Sequence, residues 1–337
     1  MSSLNSNDRL VQVTGLRKYF PARGDWFAQL FDRREIKAVD GVSFAIPRGT
    51  TTGLVGESGS GKTTTGRLIA RLTTPTTGQI SYKGKDIAPL KGKQLTALRR
   101  SVQMIFQDPS SSLNRRKTAG QIIKEPLRIH RLVSKQHMDA RLRDLMGQVG
   151  LSHHFLNRYP HEMSGGQRQR VGIARALAVE PEFIICDEPV TALDVSIQAQ
   201  ILNLLMDLQD ELDLTFLFIA HDLSVVRHVS DRVSVMYLGK IVEIADTDTL
   251  FSEPKHPYTR ALLDAIPKPD PRARKRMVLY GEVPSPIDPP SGCRFHPRCP
   301  EYIGDVCRQE DPSNSTLADG TQVTCHLYAD KDKTTSM

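Results

Sequence analysis

One short segment, TTGLVGESGSGKTT at residues 51–64, restricts the fold of this 337-residue chain more than any other feature. A short apolar run ends in glycine, and the pattern G-x-x-x-x-G-K-[ST] follows over Gly56–Thr63. Glycines let the backbone curl so that successive N–H groups point at a phosphate, and a following helix directs its positive end at the same anion. The segment therefore predicts a buried strand, a phosphate-binding loop and a helix in immediate succession.

Strands and helices alternate along much of the chain, which predicts an α/β fold with a parallel, doubly wound core. The apolar runs EFIICDEP and LTFLFIAHD each read as a buried strand that ends in polar residues. Between them, SIQAQILNLLMDLQDEL predicts an amphipathic helix with Ile197, Ile201, Leu204, Leu205 and Leu208 along one face. In such folds, ligands bind at the carboxyl ends of the strands.

Two acidic residues, Asp187 and Glu188, stand at one of these strand ends. A carboxylate beside a phosphate loop can hold Mg²⁺, and the adjacent Glu188 would be placed to polarise an attacking water. Lys62 would reach the β- and γ-phosphates, and the Thr63 hydroxyl would ligate Mg²⁺. Taken alone, the pair reads equally well as an ordinary acidic strand end.

The segments resemble, in their order, the motifs of an ATP-binding cassette (ABC) ATPase. The further motifs are MIFQDP around Gln107, MSGGQ at 163–167, TALD at 191–194 and IAHD around His221. The resemblance covers about residues 10–250 and implies a RecA-like core with an antiparallel β subdomain.

The predicted domains follow from the same resemblance. They are an ABC ATPase domain at 1–252, with an inserted helical lobe at about 110–180, and a separate, loop-rich C-terminal module at 253–337. Prolines crowd the start of this module.

The resemblance also implies a set of site residues. Contacts to ATP are expected from Phe20, Gly56, Glu57, Ser58, Gly59, Ser60, Gly61, Lys62, Thr63, Thr64, Gln107, Ser164, Gly165, Gly166, Gln167, Asp187 and Asp194. Magnesium ligands are expected to be Thr63, Gln107 and Asp187, and the catalytic residues Lys62, Glu188 as base and His221 at the γ-phosphate. Spacing favours Phe20 over Tyr19 as the ring that stacks on adenine.

The turn Ser164–Gln167 is implied to serve the ATP of a second subunit rather than its own. Ser164 suits a helix N-cap, and the two glycines permit close approach of the backbone. The positive end of the following helix would then face a γ-phosphate. Such a chain has to dimerise around nucleotide, with Asp194 at the seam.

Longer motifs, among them DEPVTALDVSIQAQILNLL and HPYTRALLDAIP, are similar to the ATPases of bacterial dipeptide/oligopeptide (peptide/nickel) importers, and to the F-type component in particular. The expected partners are a paralogous ATPase in a heterodimer (a homodimer is the alternative), two integral-membrane permeases and an extracytoplasmic binding protein. The first ten residues show no signal peptide, and the expected location is the cytoplasmic face of the membrane.

Three other interpretations stay open at this point. The same machinery could import nickel, glutathione or another small solute. The chain could be a soluble ABC ATPase that does not transport, or a cluster-based sensor with a secondary ATPase activity. Its net charge of +7 permits contact with nucleic acid, but the basic residues are dispersed, so we expect no nucleic-acid partner.

Cysteines are unevenly distributed. Cys186 stands alone in an apolar run and is expected to fill a small buried space, whereas Cys293, Cys299, Cys307 and Cys325 lie at spacings C-x5-C-x7-C-x17-C. The lack of a C-x2-C pair disfavours a zinc ribbon. Four thiolates can ligate a [4Fe–4S] cluster. Members of the importer subfamily that this chain resembles carry such a cluster in the C-terminal module.

Zinc and unligated thiols stay open as alternatives to the cluster. His296 and His326 neighbour the cysteines and could act as substitute ligands.

Overall fold

A computed structural model describes residues 8–22, 34–266 and 281–329. Its strands are β1 (Arg9–Pro21), β2 (Glu35–Pro47), β3 (Thr51–Val55), β4 (Thr77–Tyr82), β5 (Lys85–Asp86), β6 (Val102–Ile105), β7 (Phe183–Asp187), β8 (Thr215–Ala220), β9 (Arg232–Tyr237), β10 (Lys240–Asp246), β11 (Asn314–Thr316) and β12 (Gln322–Thr324).

Its α-helices are α1 (Lys62–Ile69), α2 (Gly92–Ser101), α3 (Pro109–Ser112), α4 (Ala119–Ile129), α5 (Met138–Gln148), α6 (Gly165–Leu177), α7 (Val195–Leu212), α8 (Leu223–Val229), α9 (Thr247–Ser252), α10 (Pro257–Asp264) and α11 (Asp305–Gln309). Short 3-10 helices occupy His153–Asn157, Pro160–Glu162, His296–Arg298 and His326–Tyr328. Among the described residues, no helix combines the length and apolar character that a membrane span needs.

The chain divides into two compact units. The first takes the described residues of Met1–Ile46, Thr52–Ala88 and Ala220–Met337, and the second takes Pro47–Thr51 and Pro89–Ile219. This division groups residues that pack together and does not test where a domain ends along the sequence. The predicted boundary near residue 252 stays a prediction.

One sheet of the first unit is antiparallel, with the strand order β2-β1-β4-β5. Val42, Phe44 and Ile46 of β2 are buried while the residues between them are more exposed, which is the alternation that a half-buried strand requires. This sheet is the expected antiparallel β subdomain.

The other strands of the first unit run in the order β11-β12-β10-β9-β3. β3 pairs with β9 in parallel, and β9, β10, β12 and β11 continue as antiparallel neighbours. Because β12 hydrogen-bonds to β10 at Glu243↔Val323, the C-terminal module is attached to this sheet rather than detached from it.

The second unit contains the parallel strands β8, β7 and β6 in that order, together with α2 to α7. On α7 the buried residues are Ile201, Leu202, Leu205 and Leu208. Two members of the predicted apolar face, Ile197 and Leu204, are only half-buried. Ile197 lies in the first turn of the helix, where it packs against Gly166.

Candidate functional site

The phosphate loop follows β3 directly and leads into α1, as its sequence predicts. Gly56 and Gly61 have φ angles of 152° and 105°. A Cβ at Gly56 would lie 2.0 Å from the Met236 carbonyl oxygen, and one at Gly61 would lie 2.1 Å from that of Ala38. Both positions therefore require glycine, because the loop is pressed against neighbouring backbone.

Lys62 lies folded over this loop and is buried. Its Nζ donates hydrogen bonds to the carbonyl oxygens of Gly56 at 2.7 Å and Glu57 at 3.0 Å. α1 begins with Gly61 as N-cap, and no side chain caps its first amides. Backbone amides and a buried ammonium thus meet at one helix start, which suits a polyphosphate anion.

The second loop residue, Glu57, makes contacts that its sequence motif does not predict. Its N–H donates to the Tyr258 hydroxyl at 2.9 Å, and its carboxylate accepts from both terminal nitrogens of Arg298, at 2.7 and 3.1 Å. The hydrogen bonds that Arg298 donates to Glu57 raise the pKa of its guanidinium. Arg298 lies between Cys293 and Cys299, in the cysteine-rich segment at 293–325.

The two candidate adenine-stacking rings are neighbours at the end of β1. The Tyr19 hydroxyl donates to Asp40 Oδ1 at 2.5 Å, and burial with this bond raises the pKa of Tyr19 to about 12. Phe20 is half-buried, with Lys18 Nζ 4.9 Å from its ring centroid. The bond to Asp40 fixes the Tyr19 hydroxyl, and the preference for Phe20 as the stacking ring stays a prediction.

His221 also belongs to the first unit and comes directly after β8. The residue is exposed, and the next residue, Asp222, caps α8 by accepting the Ser224 N–H at 2.8 Å. The cap fixes the turn in which the histidine stands.

In the second unit, the structure brings Gln107 and Glu188 together. β6 and β7 are parallel, with Ile105 opposite Cys186, so the residues after each strand emerge at one edge. Gln107 Nε2 donates to Glu188 Oε2 at 2.8 Å, and Thr191 Oγ1 donates to the same oxygen at 3.2 Å.

Glu188 has a left-handed backbone, with φ 47°, and its N–H donates to the Ile219 carbonyl at 2.9 Å. The neighbouring Asp187 is 2% exposed at the end of β7. A non-glycine residue with positive φ in a polar cluster is a common mark of a functional site.

The turn at 164–167 caps α6 through two reciprocal bonds. Ser164 Oγ accepts from the Gln167 N–H at 3.3 Å, and the Ser164 N–H donates to Gln167 Oε1 at 2.9 Å. This is the capping box, in which each residue satisfies an amide that the helix leaves open. Ser164 is exposed, so the start of α6 faces solvent.

The glycines of this turn pack closely against the start of α7. A Cβ at Gly165 would lie 3.0 Å from Leu193 Cδ2, and one at Gly166 would lie 2.6 Å from Ile197 Cγ2. Asp194, the N-cap residue of α7, is exposed, and Val195 beside it is 82% exposed. The turn and the start of α7 thus form one surface that ends in an exposed apolar side chain.

The C-terminal cysteines are reduced and partly or fully buried. Burial, with the charges of Cys293, Cys325 and Cys307, raises the pKa of Cys299 to about 12. Cys186, the fifth cysteine, is fully buried in β7, as expected.

No metal centre is apparent from the arrangement of these side chains. Across the described ranges, no three or more His, Cys, Asp or Glu side chains are grouped so as to hold a metal ion. His296 and His326 each direct one ring nitrogen at a backbone carbonyl, of Cys293 and of Glu310 respectively, at 2.9 Å.

Comparison with known proteins gives two family matches. Residues 39–191 match the family described as ABC transporter, and residues 242–307 match the C-terminal region of the oligopeptide/dipeptide transporter family.

Curated relatives match over nearly the whole chain. The oligopeptide transport ATP-binding protein AppF of Bacillus subtilis is 51% identical over 96% of this chain and 99% of its own length. A probable peptide ABC transporter ATP-binding protein, y4tS of Sinorhizobium fredii, is 53% identical over 96% of this chain and 91% of its own.

Solved structures give the same picture of the fold. cbiO1 of Clostridium perfringens, part of the ABC transporter complex cbiONQ, is 26% identical with a TM-score of 0.62, covering 73% of this chain and 92% of its own. A dimeric ATP-binding cassette bound to ADP and Pi in a post-hydrolysis state is 29% identical with a TM-score of 0.63, covering 70% of this chain and 98% of its own. The expected α/β cassette fold is confirmed.

The close packing of Gly166 generates a test with a matched control in the same helix. Gly166→Ala should lower the free energy of unfolding by about 1–3 kcal/mol, because the methyl group meets the branched Ile197 side chain. Gly172→Ala should raise it by up to ~1 kcal/mol, because its methyl group meets nothing within 4 Å and alanine favours helix. Thermal and urea unfolding measure both; equal effects of the two substitutions would contradict the packing of α6 on α7.

Proposed function

This chain belongs to the ABC transporter family, within the ATP-binding proteins of oligopeptide and dipeptide transporters, and from that premise we propose that it hydrolyses ATP to power the import of di- and oligopeptides. One observation carries the proposal. A single chain joins the ABC cassette to the C-terminal region of oligopeptide/dipeptide transporters, and the curated relative AppF matches it over 96% of this chain and 99% of its own length.

The proposed partners follow from this assignment. They are two integral-membrane permeases, an extracytoplasmic peptide-binding protein and a second, paralogous ATPase. The chain would lie on the cytoplasmic face of the membrane, bound to the permeases. Support comes from the relatives, which are named as ATP-binding proteins of peptide transporters.

Dimerisation around nucleotide is the proposed role of the turn Ser164–Gln167. The capped start of α6 is exposed, and α7 ends the same surface with exposed Asp194 and Val195. The solved ABC cassette bound to ADP and Pi is dimeric.

The proposed mechanism assigns one role to each residue of the family motifs. The amides of Gly56–Thr64 and the Lys62 ammonium bind the phosphates, and Phe20 stacks on adenine. Glu188 accepts a proton from the attacking water. The water oxygen bonds to the γ-phosphorus while the bond from that phosphorus to the β–γ bridging oxygen breaks.

The charge that develops on the γ-phosphoryl group is stabilised by Lys62, by His221 and by the partner subunit's copy of the 164–167 turn. Thr63, Gln107 and Asp187 would hold Mg²⁺, and their hydroxyl, amide and carboxylate oxygens are the donors that this ion prefers. When bound, the ion neutralises phosphate charge.

Glu188 is held in place for its role by two neighbours. Its Oε2 accepts from Gln107 at 2.8 Å and from Thr191 at 3.2 Å. Both donors restrict rotation of the carboxylate. The assignment of Glu188 as base is supported by this fixed orientation.

Glu188→Gln should reduce ATP hydrolysis by a factor of about 10²–10⁴ while ATP still binds, because the amide cannot accept a proton. The matched control is Glu180→Gln, whose carboxylate is 65% exposed in an ion pair with Arg141 and should be dispensable. Cells that lack the chain and receive the wild type should regain uptake of labelled peptides, whereas those that receive Glu188→Gln should not.

Each step of that experiment has an outcome against the proposal. Restored uptake of nickel or glutathione, without peptide uptake, would contradict the proposed peptide substrate and assign the transporter to that solute instead. Wild-type hydrolysis by Glu188→Gln would remove that residue from the role of base.

A [4Fe–4S] cluster on Cys293, Cys299, Cys307 and Cys325 is the proposed occupant of the C-terminal module. The donor chemistry fits, since burial and the charges of neighbouring thiols, Cys293 and Cys307 among them, raise the pKa of Cys299 and of Cys325, which indicates that the four thiols lie near one another. Their present arrangement is not a ready metal site, so the side chains would turn toward a common centre. Its role would be structural or regulatory, and no step of hydrolysis depends on it.

Anaerobically purified chain should contain four iron and four sulfide per molecule, with the broad visible absorption of such a cluster. Cys307→Ser should lose the iron, because it removes a thiolate ligand, and His296→Asn should keep it. Zinc in place of iron, or thiols without metal, would contradict the cluster.

A further inference from the structure

One ion pair connects the cysteine-rich segment to the phosphate loop. Arg298 places Nη1 2.7 Å from Glu57 Oε2 and Nη2 3.1 Å from Glu57 Oε1. The arginine side chain is 5% exposed and the glutamate 25%. A two-point pair of this kind fixes both position and orientation, because the planar guanidinium matches the carboxylate.

The same loop residue is fixed a second time through its backbone. The Glu57 N–H donates to the hydroxyl of Tyr258, which lies in α10 and is fully buried. Tyr258 packs against Tyr237 and Phe295, with ring centroids 4.7 and 5.3 Å away. These buried aromatic rings give the hydroxyl a fixed position, so Glu57 is held from both its side chain and its main chain.

The ion pair also changes the electrostatics of the phosphate loop. Glu57 is an acidic residue in a loop that binds an anion, and its own carbonyl accepts from Lys62 Nζ at 3.0 Å. An unpaired carboxylate there would repel the triphosphate and compete for the lysine. Arg298 offsets this charge, because its guanidinium lies 2.7 Å from one carboxylate oxygen of Glu57.

We propose that Arg298 and Tyr258 are positioning residues for ATP binding, which hold Glu57 neutralised and fixed so that the loop accepts phosphate. The C-terminal module thereby sets the affinity of this chain's own phosphate loop for ATP. The inference rests on the ATP-binding role of that loop and is independent of the transported substrate and of any metal. Its effect on ATP binding is proposed to act through Glu57, the residue that its guanidinium contacts.

The test measures the Kd of the full-length chain for a fluorescent ATP analogue with Mg²⁺, and the KM and kcat of hydrolysis. Arg298→Ala should raise Kd and KM about 10-fold, with a smaller change in kcat, because the exposed carboxylate opposes binding. Arg298→Lys should recover part of the loss, since it restores charge without the two-point contact.

The deciding variant combines Arg298→Ala with Glu57→Gln. If the unpaired carboxylate causes the defect, its removal should bring Kd to within about 3-fold of the wild type. Arg260→Ala is the matched control, because Arg260 pairs with Glu301 in the same module at 2.5 Å. Within the described residues, its other hydrogen bonds go to the Pro254 and Lys255 carbonyls and to the Tyr328 hydroxyl rather than to the loop. It should leave Kd unchanged.

A double variant that binds no better than Arg298→Ala, or an Arg260→Ala variant with the same loss, would overturn the inference in favour of general damage to the module. A wild-type chain that does not bind the analogue would instead contradict the proposed function. Melting temperatures of all variants separate loss of folding from loss of affinity.

Discussion

A backbone that wraps around phosphate has no room for side chains where it turns most sharply, and the first unit of this protein is arranged around that constraint. At Gly56 and Gly61 an added Cβ would lie 2.0 and 2.1 Å from carbonyl oxygens of other segments. Those oxygens belong to Ala38 in β2 and to Met236 near the end of β9. The loop therefore fits only if β2 and β9 keep their present distances from it. The loop is therefore a product of the unit's packing as much as of its own sequence.

The C-terminal module joins the same parts of the unit from the other side. Arg294 donates to the Leu238 carbonyl just beyond β9 and to Asp40 in β2, and Arg298 holds Glu57 in the loop. Phe295, between the two arginines, is 1% exposed. A region that could be taken for an appendage thus supplies buried contacts around the phosphate site. Cys293 and Cys299 stand beside these two arginines in the sequence.

Local patterns predicted much of this structure. The strand–loop–helix at the phosphate site, the cap at Ser164 and the burial of Cys186 follow from residues close in sequence, where periodicity and capping chemistry apply. The contact of Arg298 with Glu57 spans 241 positions, and no local pattern indicates which acid an arginine will meet. The pairing of β12 with β10 is not predicted either, because a strand of three residues has too little periodicity to be recognised.

The most direct test of peptide import is to isolate the chain from its native membrane in mild detergent and identify every protein that accompanies it. An importer ATPase should bring with it two polytopic permeases, a second ATPase and an extracytoplasmic binding protein, whose ligand can then be identified as a peptide. Recovery with ribosomes or DNA, or without membrane proteins, would contradict the import function and favour a soluble ABC ATPase.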